Sequence, residues 1–180
     1  MSLKDNEKEF SYWYLSASIL FWILTIGWML VIFFFSAENS VDSSHRSMKI
    51  LNYINDLQIF PVITESIVRK GAHICEYAIL TLLSFFAIRS TNLISVQTSY
   101  AHSPVKIIKS DNEMYIVISL WISAFYAAID EYHQLFVSGR NGSIYDFLID
   151  MAGSVIVLVI IRIVFSINLR RHSATELRYD

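Results

Sequence analysis

The chain has 180 residues, 54% of them hydrophobic and only 17% charged, with a formal net charge of −2. This excludes a disordered chain, a collagen-like repeat and a long charged coiled coil, and no basic excess points to nucleic acid. One cysteine and two prolines exclude a disulfide scaffold, a cysteine-based zinc site and a turn-rich β protein.

In chain order, the first element is a 28-residue stretch without a charged side chain, Phe10 to Ala37. A bilayer-spanning helix needs about 20 apolar residues, whereas the apolar core of a signal peptide has about 7–15. The stretch therefore predicts an uncleaved span over roughly Tyr12–Phe35, with Tyr12, Trp13 and Tyr14 as an interfacial belt. Next, Ile50, Leu51, Ile54 and Leu57 fall at helical spacing, which predicts a short amphipathic helix over Ser44–Leu57 on the outer membrane surface. A second span is expected at about Ser66–Ile88, a third at Met114–Phe136 and a fourth at Ser143–Phe165. Ser90–Glu113 reads as a flexible polar loop, and Cys75 as a buried small apolar residue. The fold class is all-α: a polytopic membrane protein of four transmembrane helices, one domain over 1–180 with its core at about 12–166.

The basic residues set an expected orientation. Lys4, Lys8, Arg89, Lys106, Lys109, Arg162, Arg170, Arg171 and Arg178 lie on one side, against Arg46, Lys49, Arg69, Lys70 and Arg140 on the other. The positive-inside rule then places both termini in the cytoplasm.

Successive spans run in opposite directions, so the start of span two, the end of span three and the start of span four share one layer. Those are the segments that carry charge. Arg69, His73 and Glu76 stand at i, i+4 and i+7 on one helical face, and Asp146, Asp150 and Gly153 repeat that spacing. Asp130, His133 and Gln134 share a face of span three, while Glu131 points about 100° away. Ionisable groups in a membrane usually face the bundle interior and mark a site. Ser143 followed by Asp146 also fits a capping box, and Gly139-Arg140-Asn141-Gly142 a tight connection with Asn-Gly as its turn. Arg162 reads as a snorkelling cation.

Arg69, Lys70 and Arg140 against Glu76, Asp130, Glu131, Asp146 and Asp150 leave an excess of two negative charges. In a low-dielectric layer that excess is costly. Protonation would remove it, and so would one divalent metal ion held from among Glu76, Asp130, His133, Asp146 and Asp150, with His73 as a further donor. A salt-bridged network with Glu131 facing water is the structural alternative. As a site, Arg69, Lys70, Arg140 and Gln134 would hold an anion, and His73, Glu76, Asp130 and His133 would supply acid–base catalytic groups.

The segments Arg69-Lys70-Gly71-Ala72-His73-Ile74-Cys75-Glu76-Tyr77, Asp130-Glu131-Tyr132-His133-Gln134-Leu135-Phe136-Val137-Ser138-Gly139-Arg140 and Asp146 through Asp150 to Gly153 resemble the VanZ-like family of bacterial membrane proteins. Phe35-Ser36 fits the family's first motif loosely; Ser138 stands where Pro is common, and Val157 where a second Gly is frequent. The family is named for a protein giving low-level resistance to teicoplanin, a glycopeptide antibiotic. The resemblance implies a multi-pass protein of the bacterial cell membrane. With the polar cluster, it leads to an expected function: binding, and chemically modifying, an anionic envelope component such as a lipid-linked phosphate, with a link to glycopeptide tolerance. A non-catalytic membrane protein acting through a partner and a proton-coupled transporter stand as alternatives.

Overall fold

A computed structural model of the chain describes residues 9–10, 12–56, 63–96 and 104–176. Helix α1 runs Tyr12–Ser36, α2 Ser40–Asp56, α3 Glu65–Asn92, α4 Pro104–Gln134 and α5 Ile144–Glu176. Four of these hold segments long and apolar enough to cross a membrane: Tyr12–Ser36, Glu65–Asn92, Asn112–Gln134 and Ile144–Ile167. Their outward faces are apolar. Trp121 and Phe125 are each 70% exposed, and Ile23 is 62% exposed. Side chains of this kind need lipid around them.

The interior is built from small and polar residues, which suits a medium where helix association cannot draw on a hydrophobic difference. Thr81 of α3 meets Ser123 of α4 through their hydroxyls at 2.6 Å. At one end of the bundle Ser18 of α1 meets Thr91 of α3 at 2.6 Å, and the Trp22 indole donates to the same hydroxyl at 3.0 Å. Helix α3 is central and packs on α1, α2, α4 and α5. Gly153 is what lets α5 close on α3. A Cβ there would lie 2.9 Å from the Ile74 carbonyl carbon and 3.0 Å from its Cα, and closer still to the carbonyl oxygen.

The ends sort as the alternation requires. A two-residue strand β1, Glu9–Phe10, pairs antiparallel with β2, Ser95–Val96, so the segment before α1 meets the α3–α4 connection. At the opposite end the Arg140 guanidinium donates to the Phe35 carbonyl at 3.2 Å, and Ser40 N–H to the Ser138 carbonyl at 3.3 Å. This end gathers the C-termini of α1 and α4, the N-termini of α3 and α5, and α2.

Several local expectations are corrected. The polar loop is shorter than Ser90–Glu113, because α3 continues to Asn92 and α4 opens at Pro104, a residue preorganised for a first helical position. Helix α2 begins before Ser44, at Ser40, because the Asn39 side chain caps it: its Oδ1 accepts from Asp42 N–H at 2.9 Å while its amide donates to the Asp42 carboxylate at 2.8 Å. Leu57 lies outside the described residues. Cys75 is exposed on α3 rather than buried. Arg162 keeps the exposed side chain expected of a snorkelling cation and pairs with Glu113 at 2.9 Å. In the α4–α5 connection the left-handed residue is Gly139, at φ 75°, not Gly142.

Candidate functional site

Three helices deliver the polar side chains to one place. His73 projects from the third turn of α3 toward α5, where its Nδ1 stands 3.3 Å from Asp150 Oδ1. The same nitrogen is 3.8 Å from Glu76 Oε2, one turn on along α3. Asp130 of α4 completes the group: one donor atom from each of His73, Asp130 and Asp150 lies within 4.8 Å of the others. Asp130 is 4% exposed and Asp150 0%. Gln134, one helical turn from Asp130, donates its amide to Asp130 Oδ2 at 3.2 Å and fixes that carboxylate. His73 Nδ1 and Asp150 Oδ1 thus form a close ion-pair contact between α3 and α5, while Asp150 Oδ2 is buried without a partner among the described residues.

Two cavities reach this group. The first, of about 240 Å³, is lined by Ser40, Arg69, Lys70, His73, Gln134, Gly139, Arg140, Asn141 and Asp146. The second, of about 190 Å³, lies under α2 and includes Ser43, Arg46, Ser47, Arg69, His73, Glu76, Asp130 and Arg140. Arg69, His73 and Arg140 border both. Arginine and lysine thus line the mouths, and imidazole and carboxylates lie further in.

The cations are held in different ways. Arg69 is 3.8 Å from Glu65, whose carboxylate also accepts from Ser44 Oγ at 2.7 Å. Arg46 pairs with Glu38 at 2.7 Å and lies over the Phe35 ring at 4.2 Å. Lys70 has no ion pair among the described residues and is exposed. Burial pulls the Arg140 guanidinium below its usual range; Asp130 opposes that, while Arg46 and Arg69 add to it. It remains a cation at neutral pH, because a guanidinium does not deprotonate in proteins.

Of the residues singled out in the sequence, His73, Glu76, Asp130, Asp150 and Gln134 meet around the imidazole, and Arg69, Lys70, Arg140 and Asp146 line the first cavity. His133 stands apart. Its ring stacks on Phe33 of α1, centroids 4.7 Å apart, and it borders neither cavity. At i+3 from Asp130 it is turned about 60° from it, enough to face α1 instead of α3 and α5. Asp146 does not make the capping box. Ser143 caps α5 with its hydroxyl on Tyr145 N–H at 3.1 Å, but the reciprocal bond to Ser143 N–H comes from Glu131 Oε2 of α4 at 2.6 Å. Glu131 therefore serves as a cross-helix cap, which leaves Asp146 on the cavity wall. Arg46 was not legible as a site residue, because the Ser44–Leu57 pattern points only to a membrane surface, and Glu38 and Ser40 precede that segment with no pattern of their own. The indole of Trp28 donates to the Glu76 carbonyl at 2.9 Å, and the Tyr126 hydroxyl to the Met29 carbonyl; both pin α1 to the site.

No curated protein and no solved structure matches this chain. The VanZ/LLP1 family model matches residues 21–165. That interval holds α2, α3 and every residue around His73, so this multi-pass helical membrane protein belongs to the VanZ/LLP1 family.

Proposed function

We propose that the cavity end of the bundle binds an anionic, phosphate-bearing headgroup of the cell envelope, such as that of a lipid-linked phosphate. One observation carries this reading: Arg69, Lys70 and Arg140 border a single cavity of about 240 Å³ whose lining includes one carboxylate, Asp146. Arginine presents paired donors that fit phosphate oxygens, and lysine adds a mobile charge. An acyl or prenyl chain would lie against the apolar outer faces while its headgroup enters from the side. In this reading the cavity end faces outward and both termini are cytoplasmic, which the excess of Lys and Arg on the opposite side supports. The family's association with glycopeptide resistance fits an envelope ligand of this kind.

The test is binding of a polyprenyl phosphate to purified protein in nanodiscs, with the uncharged polyprenol as control. Arg69→Gln and Arg140→Gln should each weaken binding by about tenfold or more, because each removes a charge-assisted hydrogen bond worth roughly 1.5–3 kcal/mol. Equal affinity for polyprenol, or no change in either variant, overturns the proposal.

A second reading, that the bound headgroup is chemically modified, rests on His73. It borders both cavities and is flanked by Glu76 and Asp150, the arrangement a general acid–base group needs.

A further inference from the structure

We infer that His73, Asp130 and Asp150 bind one divalent cation of the manganese–zinc class. The cluster combines donors from three helices rather than a run of surface acids. Its most buried member, Asp150, is 0% exposed; its Oδ1 faces His73 Nδ1 at 3.3 Å, and its Oδ2 has no partner among the described residues. Buried polar atoms in proteins are nearly always satisfied. A buried carboxylate oxygen without a partner, next to a second buried carboxylate and an imidazole, marks a place where a ligand supplies the missing partner.

Spacing and donor chemistry fit a cation. Ligand atoms about 2.0–2.2 Å from a tetrahedral ion stand roughly 3.4 Å apart. His73 Nδ1 and Asp150 Oδ1 already stand 3.3 Å apart, and Asp130 needs only a small inward rotation within the 4.8 Å envelope. One imidazole with two carboxylates disfavours calcium and magnesium, which take all-oxygen shells, and suits Mn²⁺ or Zn²⁺. Two negative charges on Asp130 and Asp150 balance a divalent ion. Gln134 on Asp130 Oδ2 is the kind of outer partner that holds a ligating carboxylate in place. Because His73 borders both cavities, the remaining coordination positions would open toward the arginine-lined space, where a phosphate oxygen or water could complete the shell.

The experiment uses the full chain, carrying no histidine tag, stripped with chelator in detergent micelles and supplied with Mn²⁺ or Zn²⁺ alone. Expected are uptake of about one equivalent per chain, a higher Tm, and nitrogen coupling from one imidazole in the pulsed EPR spectrum of the Mn²⁺ form. His73→Gln should abolish the nitrogen coupling, and Asp150→Asn should lower affinity at least about tenfold, while His133→Gln and Arg140→Gln keep the ion. No uptake at about 100 μM ion, uptake without nitrogen coupling, or uptake unchanged in His73→Gln overturns the inference. No phosphate is present, so this result is independent of headgroup binding. Ion uptake without polyprenyl phosphate binding sinks the headgroup reading alone, and the reverse outcome sinks the metal site alone.

Discussion

Gly153→Ala adds one methyl group where α5 touches the backbone of α3. The new Cβ would sit 2.9 Å from the Ile74 carbonyl carbon and 3.0 Å from its Cα. Helical backbone cannot step aside as a side chain can, so the two helices must part by on the order of 1 Å. Overpacking of this kind costs about 1–3 kcal/mol, against a gain of at most about 1 kcal/mol from replacing a helical glycine. Taking the middle of that cost, about 2 kcal/mol, and the full gain leaves a net loss of about 1 kcal/mol, a fall in Tm of roughly 2–4 °C for a chain of this size. Asp150 lies one turn from Gly153 and His73 is next to Ile74, so their 3.3 Å separation opens with the helices. Ion uptake should therefore fall along with stability. Gly27→Ala in α1 and Gly71→Ala in α3 are the controls, since a Cβ at either meets nothing within 4 Å. Both should leave Tm unchanged or raise it by an amount equivalent to up to about 1 kcal/mol. Thermal unfolding in detergent, followed by tryptophan fluorescence, reads all three. A Gly153→Ala protein with wild-type Tm and wild-type ion uptake would refute the close approach of α3 and α5 as the element that assembles the site.

Two further outcomes are expected. Glu131→Ala strips the N-terminus of α5 of the bond that Ser143 N–H makes at 2.6 Å, and should cost about 1–3 kcal/mol in the same unfolding assay. Glu131→Gln, which keeps an acceptor oxygen, should cost less; equal losses would show that the bond to Ser143 N–H is not what matters. In a Cys75→Ala background, cysteines at the exposed positions Tyr53 and Asn141 should label from outside intact cells, and one at position 100 should not. Labelling at position 100 from outside would invert the orientation.

The bilayer makes much of this protein legible from its amino acids alone. A membrane core admits about 20 uncharged residues at a time, so the charge-free run from Phe10 to Ala37 and the apolar halves of the other three spans could be little else. Alternating direction then forces Arg69, His73 and Glu76, Asp130, and Asp146 and Asp150 into one layer. The 100° step of the helix also shows which residues of one span share a face. That step does not show which neighbour the face meets or how closely. His133 shares a broad face with Asp130, yet the small rotation between them sends one to the Phe33 ring and the other to His73 and Asp150. Asp146 reads as a cap in isolation, but Glu131, distant along the chain, takes the reciprocal bond across the α4–α5 connection. The segment after α1 reads as an amphipathic helix on a membrane. Only the packed bundle turns its Ser43 and Ser47 face inward and makes Arg46 part of the cavity under α2. Local periodicity is encoded within each helix, whereas helix separation and rotation depend on contacts such as Gly153 on Ile74, which exist only once both helices are in place.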